Sequence, residues 1–393
     1  MPAYEYLVVG GGMAADAAVR GIRECDPAGS IGLVGADPQR PYSRPPLSKA
    51  LWKGEQVDTI WRGTERVENV VLHLGRRITA LDAEGHRATD EKGVEYRFGR
   101  LLLATGGTPR RLPEAPEGVI YYRTFADYER LRALAQPGAR IAVIGGGFIG
   151  AEVAAALSLV GARPVMVFPE QGITERVFGR ELSGFVTDAY RSHGVEVISG
   201  ETVRRLERKS NGWTLTTGAG RDIEVKGVVA GLGIEPNVAL AGSAGIGCAN
   251  GILVDASLRT NQPDVFAAGD VANFFSDALG SRVRVEHEDA ALGMGKAAGR
   301  SMAGDPAPYT HLPFFYSDLF DMGYEAVGML DARLTMVADW KEPFREGVVY
   351  YLDGSRVRGV MLWNVWGQVD AARALIARPG SFRPEDLKGR IHG

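Results

Sequence analysis

Two glycine-rich segments of the chain have the residue types and the spacing that bind a dinucleotide. In EYLVVGGGMAADAAVRGI an apolar run is followed by glycines and a helical pattern, and RIAVIGGGFIGAEVAAAL repeats that order later in the chain. The first glycine permits a tight turn, the second lets the backbone approach a pyrophosphate, and the third position allows close helix–strand packing. These positions are Gly10, Gly12 and Ala15 in the first segment and Gly145, Gly147 and Gly150 in the second.

The elements around these segments must place the glycines between a strand and a helix. Free N–H groups at the start of such a helix bind phosphates. One match would be weak evidence, because glycine-rich turns are common, but two matches in the same strand-to-helix context are specific. The sequence therefore predicts two doubly wound domains, each with its own dinucleotide.

An acidic residue after the next strand indicates which nucleotide each loop binds. The strand in ARPVMVFPEQG ends near Glu170, whose carboxylate would accept bonds from ribose hydroxyls and repel a 2′-phosphate. This favours NADH over NADPH for the second loop. After the first loop, SIGLVGADPQRP offers Asp37, although its register leaves open whether Asp37 or Ala36 occupies the ribose position.

A third signal lies in TNQPDVFAAGDVAN, where an apolar strand ends at Gly269 and Asp270. By itself a Gly-Asp pair is an ordinary turn. Together with the first glycine loop and with LLLATGGTPRR, this pair predicts that the Asp270 carboxylate accepts hydrogen bonds from the ribityl hydroxyls of a flavin.

The segment PYSRPPLSKALW holds two cations, Arg44 and Lys49, on either side of a proline pair. Proline lacks a backbone N–H and restricts the residue before it. We therefore expect Pro45 and Pro46 to exclude a helix and to hold this segment as a stiff, extended arm.

These stretches resemble the two-dinucleotide-binding flavoprotein reductases, in which FAD lies in one domain and NAD(P)H in the next. ATGG at 104–107 and AAGD at 267–270 look like the FAD-domain signatures of that family. PYSRPPLSKALW resembles a loop shared by oxygenase-type ferredoxin reductases and apoptosis-inducing factor. IWRGTER at 60–66 and GYEAVG at 323–328 look more like the latter.

The resemblance implies a role for each matching residue. Phe148 would lie beside the flavin and the nicotinamide, and Tyr316 would stack where the family usually has tryptophan. In VEHEDAA, Glu286 would bond the nicotinamide amide and His287 would approach the isoalloxazine. The residues implied to hold FAD are Gly10, Gly12, Ala15, Asp37, Arg44, Lys49, Ala104, Arg110, Gly269 and Asp270. Those implied to hold NADH are Gly145, Gly147, Gly150, Glu170 and Arg176.

Lys49 and Glu152 form the candidate pair at the reaction centre. Glu152 is expected in the first turn of the helix after the second loop, where the helix dipole favours an anion. The resemblance implies that Glu152 reaches Lys49 from the other domain, beside the reactive nitrogen of the flavin. From the residues alone, two unrelated surface charges remain the alternative.

Composition excludes several other classes of function. The 393 residues carry a formal net charge of −3, which predicts no nucleic-acid partner. The only cysteines, Cys25 and Cys248, form no C-x-x-C or zinc spacing, so neither a redox disulfide nor a metal site is expected. The opening MPAYEYLVVGGG has no charged n-region or apolar h-region, and no apolar run reaches membrane-spanning length. We therefore expect a cytoplasmic protein and consider a homodimer possible.

The predicted architecture is α/β, with two Rossmann-like domains and a C-terminal α+β domain. The strand-rich pattern after PAPYTHLPFF, a turn at Asp353-Gly354 and a helix in GQVDAARALIA define the last domain. The predicted boundaries are 1–115 and 245–305 for the FAD domain, 116–244 for the inserted NADH domain, and 306–393 for the C-terminal domain.

These observations predict an FAD-dependent oxidoreductase that takes hydride from NADH and passes electrons to an external acceptor. The cofactors carry the chemistry, so no nucleophile or acid–base dyad is required. A ferredoxin, a quinone and oxygen remain open as the acceptor. Two alternatives remain: a ferredoxin reductase of an oxygenase system, and a slow NADH-sensing switch that changes shape or dimerises.

Overall fold

The computed structural model describes residues 1–391, which form two compact units. Each unit is built from segments that are distant in the chain. The first unit comprises Met1–Ser43, Val57–Thr108 and Glu235–Phe314. The second comprises Arg44–Gln56, Pro109–Ile234 and the residues from Phe315 to the end of the described chain.

Strands and helices alternate through the first two thirds of the chain, and strands dominate after residue 313. The strands are β1 (Ala3–Val9), β2 (Ile31–Gly35), β3 (Val70–Leu74), β4 (Ile78–Asp82), β5 (Arg87–Asp90), β6 (Glu95–Leu103), β7 (Gly107–Pro109), β8 (Ile120–Tyr121), β9 (Arg140–Ile144), β10 (Arg163–Phe168), β11 (Glu196–Ser199), β12 (Val203–Lys209), β13 (Gly212–Thr217), β14 (Asp222–Val225), β15 (Gly227–Ala230), β16 (Ile234–Pro236), β17 (Cys248–Ala249), β18 (Gly251–Leu253), β19 (Val265–Ala267), β20 (Ala272–Ser276), β21 (Ser281–Val283), β22 (Phe314–Leu319), β23 (Met322–Gly328), β24 (Thr335–Glu342), β25 (Glu346–Asp353) and β26 (Arg356–Trp363). The α-helices are α1 (Met13–Cys25), α2 (Phe125–Leu134), α3 (Phe148–Leu159), α4 (Glu175–Ser192), α5 (Ala239–Ser243), α6 (Glu288–Met302) and α7 (Val369–Ala377). Short 3-10 helices cover Pro45–Ser48, Ala50–Lys53, Val57–Ile60, Thr64–Arg66, Gly269–Val271 and Pro384–Asp386.

The first unit is organised around a sheet of order β3-β2-β1-β6-β5-β4, to which β19 adds beside β6. β1 pairs in parallel with β2 on one side and with β6 on the other. The strands that follow β1 are therefore added first on one side of it and then on the other, which makes β1 the switch point of the sheet. In such sheets, ligands bind beyond the carboxyl ends of the strands at the switch point. The first glycine loop follows β1 and therefore lies at that edge.

Helices α1 and α6 pack unusually closely in the first unit, because glycines line their contact. A Cβ atom on Gly295 would lie 2.3 Å from the Ala14 carbonyl oxygen, and one on Gly299 would lie 2.2 Å from that of Ala18. Any larger residue would push the helices apart. This packing fixes the axis of α1, and with it the N-terminal N–H groups that face the first loop.

The second unit contains a parallel sheet of order β11-β10-β9-β15-β8 and a small antiparallel sheet of β12, β13 and β14. β9 pairs in parallel with β10 and β15, which gives this sheet the same switch arrangement as in the first unit. The second glycine loop follows β9. The core around these two sheets is mainly aliphatic, with Ala142, Val165, Val167 and Val228 almost completely buried, and it also includes Trp213.

The second unit also contains a five-stranded sheet of order β22-β23-β26-β25-β24, in which β23, β26, β25 and β24 pair antiparallel. These strands and helix α7 follow the predicted strand-rich pattern and closing helix. The predicted α/β class with two Rossmann-like folds and a C-terminal α+β part is confirmed.

The prediction of an extended arm at Pro45 and Pro46 was wrong. Pro45–Ser48 and Ala50–Lys53 form two consecutive 3-10 helices, with the prolines at the first two positions of the former. Proline is tolerated there because the first N–H groups of a helix have no internal partner. The segment is nevertheless internally hydrogen-bonded, since the Lys49 N–H donates to the Pro46 carbonyl and the Trp52 N–H donates to the Lys49 carbonyl.

The two compact units do not divide the chain in the same way as the three predicted domains. Residues 44–56 and the C-terminal sheet belong to the same unit as the parallel sheet of the second loop. The predicted boundaries near residues 115, 244 and 305 stay predictions. Within residues 1–391, no helix has both the length and the apolar character needed to cross a membrane.

Candidate functional site

The first glycine loop has the close backbone approaches that a dinucleotide fold requires. Gly10 has φ +139°, and a Cβ there would lie 2.2 Å from the carbonyl oxygen of Ala104. The Ala104 amide donates to the Val9 carbonyl at 2.9 Å, which ties the neighbouring strand to this turn. Gly12 precedes α1 without any side-chain cap, and Ala15 is fully buried. The uncapped N-terminus of α1 fits a pyrophosphate.

The second loop repeats this geometry in the other unit. Gly145 has φ +110°, and a Cβ there would lie 2.4 Å from the Gly231 carbonyl oxygen. A Cβ on Gly150 would lie 2.0 Å from the carbonyl oxygen of Gly145, so the helix packs directly on the turn. A Cβ on Gly147 would meet nothing within 4 Å. Gly147 therefore leaves open space in front of the uncapped start of α3, as a bound phosphate group requires.

Glu170 follows β10 by two residues and is held by its own neighbours. Its Oε1 atom lies 2.6 Å from a terminal nitrogen of Arg176, and its backbone carbonyl accepts from Gly200 N–H. Thr174 closes the segment onto the glycine loop, because its N–H donates to the Gly146 carbonyl at 2.7 Å. Glu170 and Arg176 therefore lie together beside the second loop.

Asp37 and Asp270 both follow strands of the first unit. The Asp37 carboxylate accepts hydrogen bonds from the Tyr42 hydroxyl at 2.9 Å and from the Gln39 N–H at 3.0 Å. Asp270 lies in the 3-10 helix after β19, next to Gly269, whose φ is +76°. The Arg284 guanidinium donates to the Asp270 carbonyl at 2.9 Å, which fixes the backbone of that turn.

Glu286 and His287 lie immediately before α6 in the first unit. Glu286 forms an ion pair of 2.8 Å with Arg284. His287 is the N-cap residue of α6 and has an extended backbone. Burial lowers the pKa of His287 to about 4, although the charges of Asp270 and Asp289 oppose that shift. The imidazole is therefore neutral at pH 7.

Lys49 and Glu152, which were expected to come from two different domains, both belong to the second unit and meet there. Lys49 Nζ lies 2.7 Å from Glu152 Oε1, and the two side chains are 11% and 4% exposed. The expectation that Glu152 lies in the first turn of its helix was wrong, because α3 begins at Phe148 and Glu152 is in the second turn. The helix dipole acts most strongly within the first turn, so direct donors stabilise this anion instead.

Two hydrogen-bond donors that the sequence did not reveal complete the surroundings of Glu152. The Ser48 hydroxyl donates to Oε2 and the Ser317 hydroxyl donates to Oε1, each at 2.6 Å. The only feature of the sequence that could have pointed to Ser48 is its position next to Lys49 in the proline-rich segment. Ser317 lies in FFYSDL, and nothing in its local sequence links it to Glu152.

Lys49 lies between the two 3-10 helices, and side-chain donors hold the first of them. The Leu47 carbonyl accepts from the Trp52 indole at 2.7 Å and also from the Tyr122 hydroxyl. The Arg132 guanidinium lies 5.4 Å from the centre of the Trp52 ring. Lys49 is therefore held at a fixed position in the second unit.

Aromatic side chains surround this pair. The Phe148 ring packs edge-on against Phe315, with ring centres 5.3 Å apart. Lys49 Nζ lies 5.3 Å from the centre of the Tyr316 ring, and Tyr316 is 37% exposed. Tyr324 is fully buried, and burial together with the charge of Glu152 raises its pKa well above the ordinary value.

The predicted site residues are divided between the two units, and three of those predicted to hold FAD (Arg44, Lys49 and Arg110) lie in the unit of the second loop. Gly10, Gly12, Ala15, Asp37, Ala104, Gly269, Asp270, Glu286 and His287 belong to the first unit, and Arg44, Lys49, Arg110, Gly145, Gly147, Phe148, Gly150, Glu152, Glu170, Arg176 and Tyr316 belong to the second. Both cysteines lie in the first unit and neither forms a disulfide among the described residues. Within residues 1–391, no group of three or more histidine, cysteine or carboxylate residues could hold a metal.

Comparison with known proteins gives matches along nearly the whole chain. The family model of the pyridine nucleotide-disulphide oxidoreductases matches residues 4–295. A model of the C-terminal part of mitochondrion-associated apoptosis-inducing factor matches residues 298–343 and 338–378.

Individual relatives are similar over most of their length. Apoptosis-inducing factor 1 of Dictyostelium discoideum is 32% identical over 99% of this chain and 81% of its own. The ferredoxin reductase subunit of the 5,5'-dehydrodivanillate O-demethylase of Sphingobium sp. is 34% identical over 96% of this chain and 94% of its own. A chain of the covalent putidaredoxin reductase–putidaredoxin complex superposes with a TM-score of 0.88 at 29% identity, covering 95% of this chain and 93% of its own.

Proposed function

This chain belongs to the pyridine nucleotide-disulphide oxidoreductase family, and we propose that its electron acceptor is a ferredoxin-type iron–sulfur protein. The protein is an oxidoreductase that uses FAD and NAD(H) and delivers electrons to an external acceptor. The proposed class of acceptor is supported by relatives named as ferredoxin reductases, which are 34% and 33% identical to this chain.

FAD supplies the electron chemistry when it is bound, and the chain contributes binding, orientation and charge. In the first unit, Gly10 and Gly12 would let the backbone approach the pyrophosphate of FAD. The residues Asp37 and Asp270 would accept hydrogen bonds from its hydroxyl groups. The neutral imidazole of His287 would add no charge to the ring system.

In the second unit, the open space at Gly147 would admit the pyrophosphate of NADH. Glu170 would accept the ribose hydroxyls and would repel a 2′-phosphate. The Arg176 guanidinium, which lies 2.6 Å from Glu170, would orient that carboxylate and lie near the phosphates. Phe148, the first residue of α3, would limit access to the nicotinamide.

The main support for a reaction centre in this unit is the buried Lys49–Glu152 ion pair. A buried ion pair contributes little net stability, because the loss of hydration offsets the attraction. A fixed ammonium beside the helix of the NADH loop would instead stabilise negative charge that develops during transfer. The exposed ring of Tyr316, 5.3 Å from Lys49 Nζ, would mark the side from which electrons leave.

The proposal is tested by anaerobic reduction of the purified flavoprotein with NADH, followed by mixing with acceptors. Equal concentrations of an oxidised [2Fe–2S] ferredoxin, a water-soluble quinone and oxygen are compared. Rapid transfer to the ferredoxin alone supports the proposal. Faster transfer to the quinone or to oxygen contradicts the proposed acceptor.

A slow NADH-sensing switch predicts a different outcome of the same experiment. In that case the reduced complex persists in air, none of the three acceptors is reduced quickly, and NADH changes the molecular mass in solution. Light scattering with and without NADH therefore accompanies the kinetic measurements, and it also tests whether the protein is a homodimer.

A further inference from the structure

The carboxylate of Glu152 has more donors than a buried ion pair needs. Lys49 Nζ and the Ser317 hydroxyl both lie on Oε1, at 2.7 and 2.6 Å, while the Ser48 hydroxyl lies on Oε2 at 2.6 Å. Ser48 is 7% and Ser317 is 2% exposed. Both carboxylate oxygens are therefore occupied in a space that solvent scarcely reaches.

These donors come from separate parts of the second unit. Ser48 ends the first 3-10 helix and lies next to Lys49, whereas Ser317 lies on β22. Glu152 itself projects from α3. The carboxylate consequently joins three elements, and its rotamer is fixed from both sides.

Hydroxyl donors hold a carboxylate differently from a single ammonium. Hydrogen bonds to a charged group are short and directional. With Oε2 held by Ser48 and one side of Oε1 held by Ser317, the remaining direction on Oε1 points to Lys49. The position of the ammonium is then set by the serines as well as by its own flexible side chain.

We propose that Ser317 and Ser48 are positioning residues for the reduction reaction, which act by holding the Glu152 carboxylate in place and aimed at Lys49. This inference rests on the proposed role of the Lys49–Glu152 pair. Neither serine is expected to contact a reactant. Their removal should weaken the constraint on Lys49 without removing either charge.

The test compares Ser317→Ala and Ser48→Ala with Ser317→Thr, which keeps the hydroxyl, and with Ser301→Ala. Ser301 is an equally buried serine in the first unit, so it controls for the general cost of changing a buried serine. Anaerobic stopped-flow measures flavin reduction by NADH. Loss of one charge-assisted hydrogen bond should slow reduction about tenfold in each alanine variant, whereas Ser317→Thr and Ser301→Ala should stay close to the parent protein.

A second readout uses the FAD-free protein and is independent of activity. Acylation of Lys49 by a low concentration of an amine reagent is followed by mass spectrometry. A loosened ion pair exposes the amine, so Ser317→Ala should be acylated severalfold faster at Lys49 than the parent protein. The exposed Lys341 should react at an unchanged rate in all variants and serves as the internal reference.

A double-mutant cycle with Glu152→Gln separates a positioning role from a structural one. If Ser317 acts through the carboxylate, Ser317→Ala should slow reduction much less in the Glu152→Gln background. Equal slowing in both backgrounds, or an unchanged rate of acylation, would overturn the inference. An unchanged reduction rate in Lys49→Met would instead refute the proposed role of the pair, so the two failures are distinguishable.

Discussion

Lys49 and Glu152 form a buried ion pair with an Nζ–Oε1 distance of 2.7 Å, although they come from separate segments of the second unit. The negative charge of Glu152 also affects the titration of two neighbouring tyrosines. Together with burial it raises the pKa of both Tyr190 and Tyr324 well above the ordinary value. Both phenols therefore remain protonated, and Lys49 is the cation that compensates the carboxylate.

Replacing Lys49 should separate its effect on stability from its effect on reduction. Lys49→Met leaves a buried carboxylate without its cation, which should lower the free energy of unfolding by about 3 kcal/mol. The double variant Lys49→Met/Glu152→Gln removes both charges and should recover much of that stability. In both the single and the double variant, flavin reduction should stay slower than in the parent protein. Denaturant unfolding and stopped-flow reduction measure the two quantities, and a double variant with the parental rate would contradict the role of the charge.

Gly147→Ala should block nucleotide binding without damaging the fold. A Cβ at this position meets nothing within 4 Å, and the backbone φ of −80° suits alanine. The methyl group would instead occupy space that a pyrophosphate needs, so we expect the dissociation constant of NADH to rise by at least about tenfold. Gly184→Ala on α4 is the matched control, because its Cβ is also free of contacts. Similar NADH affinity in the two variants would argue against a phosphate site at Gly147.

Glu170→Ala should change the preference between the two nicotinamide cofactors. Removing the carboxylate removes its repulsion of a 2′-phosphate and releases Arg176, now 2.6 Å from it, to pair with that phosphate. We expect the ratio of kcat/KM for NADH to that for NADPH to fall by about tenfold or more. Glu181→Ala, which changes an exposed acid on α4, the helix of Arg176, should keep the parental ratio. If both variants keep it, Glu170 does not select the cofactor.

His287 should make the FAD-free protein sensitive to mild acid. Its pKa is lowered from 6.5 to about 4 in the folded protein, chiefly by burial. Between these values the unfolded chain binds a proton that the folded protein does not, so stability is lost as the pH falls. At pH 5 this loss should amount to about 2 kcal/mol relative to pH 7.5. Unfolding of His287→Asn at both pH values should show a smaller loss, and an unchanged pH dependence would contradict the burial of a neutral imidazole.

The sequence alone determined the fold class and the two phosphate-binding loops. Glycine at positions 10 and 145 is required because a Cβ atom would collide with a neighbouring carbonyl, and such local constraints leave a recognisable spacing. The alternating and apolar patterns after residue 313 likewise predicted the C-terminal strands and helix α7. In each case the signal lies within a few consecutive residues.

Only the tertiary structure decided how Glu152 is held. From the residues alone, Lys49 and Glu152 could have been an ion pair or two unrelated surface charges. The hydrogen bond from Ser317 had no sequence signal, since a serine in a strand usually faces solvent. The conformation of Pro45–Ser48 was also decided by context, because prolines permit a first helical turn as well as an extended chain. Contacts between distant segments depend on the packing of whole elements, and the spacing of residues along the chain does not encode them.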